Sequence, residues 1–471
     1  MGQEISDSRF SEADFLAFQE RLRVETALLD RWFHEGRFAV SEAKGGFELE
    51  AWLVDRDARP AGVNQAYLER LDSVLVVPEL ATFNVEINGS PQPLRGRALS
   101  LMAEELAATW GRCNRVAGDF DARLAMVGIL PTVTPADLCL ANMSPLQRYR
   151  ALNEQVLRLR QGRPLEVDIQ GREHLRMQHR DVMLESAATS FQIHLKVSAE
   201  RGARYYNASK ILSAPMVALA ANSPFLFGRS LWEETRIPLF EQSVAVGASD
   251  LTKRVTFGIR YAHRSLMECF EANLARYPVI LPQLMEEPPE RLAHLRLHNG
   301  TIWRWNRPLI GFDRGGAPHL RIEHRVAPAG PTIPDMIANA AFYFGAARAL
   351  VDMEIPPEQR LPFEQARDNF YAAARAGLEA RVAGFDGARG GIDAWILDTL
   401  LPLAEQGLNA LGIDPSEIDI WLGIIEERVR SGQTGAAWQR AWVRRHGPDM
   451  QGLAEAYLDR QASGTPVATW R

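Results

Sequence analysis

The sequence has few cysteines and no long apolar run. Only three cysteines occur in 471 residues, and none belongs to a CxxC pair. A sparse, unpaired set is typical of a reducing compartment, so we expect a cytoplasmic protein without a disulfide framework. No stretch of ~18 apolar residues is present, and the polar segment Met1 to Glu12 has no apolar signal core, so we expect neither a transmembrane helix nor a secretory signal.

A strong charge of one sign is missing as well. The 53 basic and 59 acidic residues leave a net charge of −6, which gives no reason to expect a nucleic-acid or membrane-surface partner. Internal repeats are absent, and so are the patterns GxxxxGK(S/T), GxGxxG after a strand, GxSxG and HExxH. These absences exclude the sequence signatures of P-loop and Rossmann nucleotide sites, α/β-hydrolases and zinc proteases.

Helical periodicity covers much of the chain. Apolar residues recur at helical spacing in four long segments: 9–36, 97–123, 146–160 and 204–221. Pro215 is expected to bend or interrupt the last of these helices. From about residue 335 onward nearly every segment has a helical pattern. We therefore predict two regions, 1–350 and a helical C-terminal region 351–471 packed on it, joined at the proline-containing stretch Val351 to Pro362.

Four short segments instead alternate strictly between apolar and polar residues, which is the pattern of β-strands. They are residues 46–54, 82–88, 190–197 and 320–326. Because successive side chains of a strand point to opposite faces, each segment has one polar face. The polar faces carry Glu48 and Glu50; Asn84, Glu86 and Asn88; Gln192, His194 and Lys196; and Arg321, Glu323 and Arg325.

Two interpretations of these polar faces are open. Each strand taken alone fits a half-exposed sheet, with its apolar side inward and its polar side in water. The four together favour a site, because Glu48 and Glu50 are like charges on one face and converge with Glu86 and Glu323 if the strands are neighbours. Clustered carboxylates repel each other unless they are protonated or bridged by cations. Divalent cations, with arginines for a phosphate, would suit Mg-nucleotide chemistry without a P-loop.

These segments resemble the glutamate–cysteine ligase family, the carboxylate–amine ligases of the glutamine-synthetase-like superfamily. Four blocks carry the resemblance, in order: Phe47 to Glu50, Glu79 to Asn88, Thr189 to His194 followed by Ala221 to Phe225, and Arg321 to Arg325. They are most similar to the plant and proteobacterial branch of the family. The resemblance implies an α+β fold in which a curved, mainly antiparallel sheet lines the active site of a glutamine-synthetase-like catalytic domain, with a helical C-terminal region.

The resemblance also implies two sites for Mg²⁺ (or Mn²⁺). The ion nearest the amino-acid site would be held by Glu50, Glu79 and Glu86. The ion bridging the ATP phosphates would be held by Glu48, Glu323 and one residue of the central strand. By alignment Gln192 occupies that central position, and His194 lies two residues further on the same face, so both are candidates.

Other side chains are expected to contact ATP or the substrates. Arg321 and Arg325 would neutralise the transferred γ-phosphoryl group. Arg236 could grip a substrate carboxylate, or it could be a surface helix arginine. The stretch Leu297 to Pro308, with two tryptophans and two arginines, could line the entrance or form a packed strand. The remaining candidates are Lys196, Trp303 and Arg304 for ATP, and Asn84 and Asn88 for the substrate.

The activity implied by the resemblance is ATP-dependent amide formation on small molecules, an amino acid and an amine. ATP would phosphorylate a carboxylate, most simply the γ-carboxylate of glutamate, and an amine would then displace phosphate. Cysteine is the family's usual amine, but the sequence does not identify it. A guanidino-kinase-like phosphotransferase and a non-catalytic ligand-binding relative are the alternatives, and the oligomeric state is open.

Overall fold

The computed structural model describes residues 4–39, 42–247 and 252–471. Within these residues the strands are β1 (Lys44–Val54), β2 (Val76–Pro78), β3 (Asn84–Asn88), β4 (Gln92–Pro93), β5 (Arg123–Ala125), β6 (Leu165–Gln170), β7 (His174–His179), β8 (Phe191–Val197), β9 (Phe225–Leu226), β10 (Arg229–Ser230), β11 (Asn306–Phe312), β12 (Pro318–His324), β13 (Arg381–Ala383) and β14 (Arg389–Gly391).

The α-helices of the same residues are α1 (Glu12–Glu35), α2 (Asn64–Leu71), α3 (Ala98–Gly118), α4 (Gln147–Leu159), α5 (Gly202–Ala220), α6 (Arg236–Ser243), α7 (Met267–Arg276), α8 (Ala293–Gly300), α9 (Ile333–Asp352), α10 (Pro357–Arg360), α11 (Phe363–Ala376), α12 (Ile392–Trp395), α13 (Leu401–Leu411), α14 (Pro415–Ser431), α15 (Gly435–His446) and α16 (Met450–Ala462). A 3₁₀ turn, Val182–Ala187, also contributes to the site described below.

The main sheet places the four predicted polar-faced strands side by side. Its order is β11-β12-β8-β1-β3-β2, every pairing is antiparallel, and β4 and β5 also pair with β1. The sheet is curled into a half-barrel, and the α+β fold class predicted from the sequence is confirmed. Strand β12, which corresponds to the fourth predicted strand, ends at His324, one residue before Arg325. The predicted segment 320–326 therefore extends two residues beyond the strand.

The sheet is buried on both faces. On the apolar side Leu49, Ile193 and Ile322 are fully buried, and α5 and α9 pack against this side. On the polar side Glu86 and Gln192 are 0% exposed and Glu323 is 1% exposed. The half-exposed interpretation is therefore wrong, because the polar faces lie in the interior rather than in water.

The four predicted long helices form, as α1, α3, α4 and α5. The predicted interruption at Pro215 does not occur: α5 continues through this proline as one helix. Every residue of α5 except Arg204 is buried. Proline removes one backbone hydrogen bond from a helix, and packing on all sides holds the chain helical in spite of that loss.

The C-terminal helices complete the structure behind the sheet. Helices α11, α13 and α14 pack on α5 and α9, and one hydrophobic core runs through both predicted regions. The boundary near residue 350 stays a prediction. On α16, the Tyr457 hydroxyl donates a hydrogen bond to the carbonyl of Met126 (2.9 Å) and accepts one from Asn222 Nδ2 (2.8 Å). On α15, Gln439 Nε2 donates to Asn222 Oδ1 (3.0 Å). Among the described residues, no helix combines the length and apolar character needed to cross a membrane.

Candidate active site

A cavity of about 430 Å³, here called the main cavity, lies against the polar face of the sheet. Strands β1 and β12 form its floor, and α4, α8 and the 3₁₀ turn Val182–Ala187 contribute to its walls. The lining contains basic side chains, among them Arg296 and Arg321, and acidic side chains, among them Glu50, Glu79 and Glu185.

The first acidic triad consists of Glu48, His194 and Glu323, which offer ligand atoms within 4.8 Å of one another. Strand register explains the proximity, because Glu323 and His194 are paired across β12 and β8. His194 Nε2 lies 3.4 Å from Glu48 Oε1 and 3.9 Å from Glu323 Oε1, and it is buried without a hydrogen bond among the described residues. Two carboxylates and an imidazole form a donor set that fits a divalent cation.

The carboxylates of this first triad are held ionised. Burial acts to raise the pKa of Glu323, but the guanidinium groups of Arg307 and Arg325 outweigh it and lower the pKa to about 2. Burial likewise opposes ionisation of Glu48, whose pKa is nevertheless held well below its usual range, with attraction to His194 and Arg321 contributing. Both groups are therefore ready to accept a cation at neutral pH.

The second acidic triad consists of Glu50, Glu79 and Glu86, whose oxygens also lie within 4.8 Å of one another. Glu50 and Glu86 face each other across β1 and β3, and Glu79 comes from the loop after β2. Glu86 Oε2 is buried without a hydrogen bond among the described residues. Three carboxylates with an unsatisfied oxygen suit a hard divalent cation.

The carboxylates of the second triad repel one another, and burial disfavours their ionised forms. Burial, together with the charge of Glu79, raises the pKa of Glu50 to about 7. Burial and the charge of Glu48 raise the pKa of Glu86 well above its usual range, and burial raises the pKa of Glu79 although Arg148 opposes it. A bound cation would relieve this repulsion, so the residues present fit a metal here as well.

The structure distinguishes the two candidates on the central strand. His194 belongs to the first triad, whereas Gln192 lies between the second triad and Arg325. Gln192 Nε2 donates to Glu50 Oε1 (2.8 Å), and its Oε1 accepts from Arg325 Nη1. Gln192 therefore positions a carboxylate and an arginine, and we assign the imidazole to the first triad.

Both arginines predicted for the phosphoryl group line the main cavity. Arg325 Nη1 lies 3.3 Å from Glu323 Oε1, and the Nε atoms of Arg321 and Arg325 are buried without hydrogen bonds among the described residues. Arg307, in β11, belongs to the stretch Leu297 to Pro308 that was predicted either to line the entrance or to pack, and it lines the main cavity. It forms two hydrogen bonds with Glu323, from Nε to Oε2 (2.6 Å) and from Nη2 to Oε1 (2.9 Å).

Four polar residues of the cavity lining were missed by sequence reasoning: Arg148, Tyr149, Glu185 and Arg296. They lie on α4, on the 3₁₀ turn and on α8, where no alternating pattern marks a polar face. The Tyr149 hydroxyl is 3.5 Å from Glu79 Oε2, and the Arg148 guanidinium lies over the Tyr149 ring at 4.6 Å. Burial, together with the charges of Glu79 and Glu50, raises the pKa of Glu185 well above its usual range.

Of the three predicted ATP contacts, only Trp303 lines the main cavity. Its neighbour Arg304 points away and is buried with its guanidinium 5.5 Å from the Tyr277 ring centre. Residues 301–305 do not form a strand, so alternation could not indicate their directions. Lys196 is also outside the cavity lining, because Asp313, in the β11–β12 turn, holds its Nζ at 2.9 and 3.0 Å.

The predicted substrate contacts are mostly engaged within the protein. Arg236 is 2% exposed, bonds Glu234 Oε1 (3.2 Å) and donates to the backbone carbonyls of Arg325 and Val326. It therefore supports the backbone just after β12 and does not lie on the surface, and its contact with a substrate carboxylate stays a prediction. Asn88 donates to Glu86 Oε1 (3.0 Å). Asn84 differs, because both polar atoms of its amide lack hydrogen bonds among the described residues.

Comparison with known proteins decides the family. A sequence profile of glutamate-cysteine ligase family 2 (GCS2) matches residues 45–460. The chain belongs to that family. The resemblance seen in the sequence is thereby confirmed, and the protein is an ATP-dependent carboxylate–amine ligase. A comparison with curated protein sequences returns no match.

Solved structures agree with the GCS2 assignment at the level of the fold. The glutamate–cysteine ligase of Francisella tularensis, solved in complex with AMP, is 13% identical, with a TM-score of 0.56, over 91% of this chain and 90% of that one. A bifunctional glutathione synthetase from Pasteurella multocida is 12% identical, with a TM-score of 0.55, over 94% of this chain and 55% of that one. The half-barrel of this GCS2 protein is thus shared with solved ligases.

Proposed function

We propose that this ligase uses ATP to activate the γ-carboxylate of glutamate and then joins it to a primary amine, with Mg²⁺ held by the two acidic triads. One observation carries the proposal. Two buried triads and the cavity-facing Arg321 and Arg325 share one face of a sheet. Cations bound by the triads, together with the two arginines, would place positive charge around a phosphoryl group and around a substrate carboxylate in one cavity.

Each group of side chains has a distinct task in this scheme. Glu48, His194 and Glu323 would hold the ion near the ATP phosphates, and Glu50, Glu79 and Glu86 would hold the ion near the amino acid. Bound metal ions supply positive charge that polarises phosphoryl and carboxyl oxygens. Arg296 and Arg321 offer charge for the polyphosphate, and Arg325, beside the first triad, for the phosphoryl group in transit.

The chemistry needs two displacements. First, an oxygen of the substrate carboxylate bonds to the γ-phosphorus while the bond to the bridging oxygen breaks, and ADP leaves. Second, the amine nitrogen bonds to the acyl carbon, and phosphate leaves with the oxygen that came from the carboxylate. The nitrogen keeps one hydrogen in the amide and releases one proton to solvent if it enters as a neutral amine, or two if it enters as an ammonium ion. A protein nucleophile is not required, which agrees with a main-cavity lining that, over the described residues, contains neither serine nor cysteine.

Hydroxylamine trapping tests this function. The purified protein with ATP, Mg²⁺ and glutamate should form γ-glutamyl hydroxamate, and phosphate release should require both an acid and an amine. Glu50→Gln should abolish hydroxamate formation, whereas the exposed Glu166→Gln should not. ADP with a stable phosphorylated product would instead identify a phosphotransferase, and ATP cleavage without hydroxamate from any carboxylate tried would overturn the ligase proposal.

A further inference from the structure

A small recess opens beside the second acidic triad. It measures about 10 Å³, and its polar lining comes from Glu50, Glu79, Asn84 and Glu185, with Ser186 and Thr189 completing it. A space of this size accommodates about one water-sized group. Among the described residues that line the recess there are three carboxylates and no basic side chain, so the group that fits it is small and positively charged.

Asn84 gives an independent sign that a ligand completes the recess. The residue is 2% exposed, and neither Nδ2 nor Oδ1 has a hydrogen-bond partner among the described residues. Its backbone is fixed, because its carbonyl accepts from Asn64 Nδ2 (3.1 Å) and its N–H donates to the carbonyl of Ala81 (2.9 Å). Since a buried amide without partners is unfavourable, this side chain is prepared for a polar group that enters the recess.

Glu185 lies in the recess without belonging to either triad. It lines both the recess and the main cavity, and the structure records no hydrogen bond or ion pair for its carboxylate among the described residues. The second triad can hold a cation through Glu50, Glu79 and Glu86 and still leave Glu185 unused. Glu185 is partly exposed, and a carboxylate that lines a cavity without a cationic partner can accept a positively charged group of its own.

We propose that Glu185, together with Asn84, seats the ammonium group of the acceptor amine, which makes the acceptor a primary amine that binds as a cation. The inference rests on the proposed function. An ammonium group has three donors and no acceptor, which matches the carboxylate of Glu185 and the amide oxygen of Asn84. Its place beside Glu50 and Glu79 puts the amine nitrogen next to the side chains assigned to the amino-acid end. Leu152 and Val182 line the adjoining cavity wall and would face an uncharged stem.

Competition between a charged and an uncharged amine tests the assignment. Hydroxylamine is uncharged at neutral pH, whereas methylammonium is a cation. In the wild-type protein, methylammonium chloride should inhibit hydroxamate formation competitively with hydroxylamine, while the same concentration of potassium chloride should not. In Glu185→Gln the inhibition constant for methylammonium should rise roughly 10- to 100-fold, as expected for loss of a charged hydrogen bond. The Mg²⁺ concentration that gives half-maximal activity should not change, because the second triad keeps its three carboxylates.

The results that oppose the proposal are distinct from failure of the ligase function. Absence of methylammonium competition in the wild type, or the same competition in Glu185→Gln, would overturn it. A shifted Mg²⁺ requirement in Glu185→Gln would show that Glu185 supports the metal site instead. If Glu185→Gln does not fold, Glu185→Asp and Asn84→Ala carry the same test, with melting temperature as the check. A wild-type protein that forms no hydroxamate would refute the proposed function itself.

Discussion

Arg307 and Glu323 face each other across β11 and β12 and are joined by two hydrogen bonds, of 2.6 and 2.9 Å. Arg307 thus neutralises a carboxylate of the first triad from one side and leaves His194 and Glu48 on the other. Both partners are buried, Arg307 at 6% and Glu323 at 1% exposed. Arg307 is a positioning residue for the first triad, because it fixes Glu323 before any cation arrives.

Arg307→Ala should therefore lower the free energy of unfolding by about 3 kcal/mol, because it leaves Glu323 with only the longer contacts to Arg325 and His194. Mg²⁺ should restore part of this loss, since a cation in the first triad would balance the exposed charge. Urea denaturation with and without Mg²⁺ measures both effects. Arg307→Lys keeps the charge but cannot form both hydrogen bonds in the same plane, so its free energy of unfolding should lie between those of the wild type and Arg307→Ala. A Mg²⁺-independent loss would argue against a cation beside Glu323.

Arg325 should act on the rate more than on ground-state binding. Arg325→Lys and Arg325→Ala should lower kcat by ~10²–10³, with the lysine variant partly active, because a preorganised donor facing developing charge is lost. The dissociation constant of Mg-ATP should change little. The matched control is the exposed Arg176→Ala. A lower melting temperature with an intact kcat would show that Arg325 serves only its contacts to Gln192 and Glu323.

The second triad predicts a pH-dependent stability. The pKa of Glu50 is about 7 in the folded protein against an ordinary value of 4.5, so between these pH values the folded state binds more protons than the unfolded state. The contribution of Glu50 to the stability of the metal-free protein should therefore fall as pH rises through this window, whereas His298, His319 and His324, whose pKa values lie below the ordinary 6.5, act in the opposite direction. Mg²⁺ should reduce the Glu50 contribution, because it favours the ionised carboxylates. Chemical denaturation of the wild type and of Glu50→Gln at several pH values isolates this contribution as the difference between the two proteins. The same pH dependence in both metal-free proteins would contradict the prediction.

Trp303 and Arg304 are adjacent in the chain, and we expect their substitutions to affect different quantities, the KM for ATP and the melting temperature. Trp303→Ala should raise the KM for ATP about tenfold, because an aromatic wall of the main cavity is removed. Arg304→Gln should leave that KM unchanged and lower the melting temperature, because its guanidinium is buried against Tyr277. Steady-state kinetics and thermal melting separate the two. If Arg304→Gln raised the KM for ATP and Trp303→Ala did not, Arg304 rather than Trp303 would be the ATP contact.

Much of the sheet could be predicted because alternation fixes which side chains share a face. On that basis Glu48, Glu50, Glu86 and Glu323 were expected to converge if their strands are neighbours, and the structure pairs the strands side by side. Glu79 came only from the family resemblance, since its loop has no periodic pattern. Arg236 shows the opposite limit, because nothing in the sequence reveals that its guanidinium is occupied by Glu234 and by backbone carbonyls.

Residues on helices and turns were the ones that escaped prediction. Glu185 lies on a 3₁₀ turn and Arg148 on α4, and each reaches the cavity only through the tertiary packing of its element against the sheet. Arg307 lies in the stretch Leu297 to Pro308 that was predicted to line the entrance or to pack, but Asn306, Arg307 and Pro308 interrupt the alternation of β11, so the pairing of Arg307 with Glu323 was not predicted. For such residues the direction of the side chain is set by long-range contacts, which local spacing does not encode.

Hydrogen bonds around Asn222 connect α15 and α16 to the backbone at Arg325. Tyr457 and Gln439 hold the Asn222 side chain, the Asn222 N–H donates to Glu234 Oε2 (2.8 Å), and Glu234 in turn bonds Arg236, which supports the backbone at Arg325. The C-terminal helices thus support the candidate active site from behind the sheet. A shortened protein that ended before α15 would keep every residue that lines the main cavity, but it would lose the contacts of Gln439 and Tyr457 that support the backbone at Arg325 through Asn222. Such a shortened ligase would therefore retain every side chain of its active site and still lose activity.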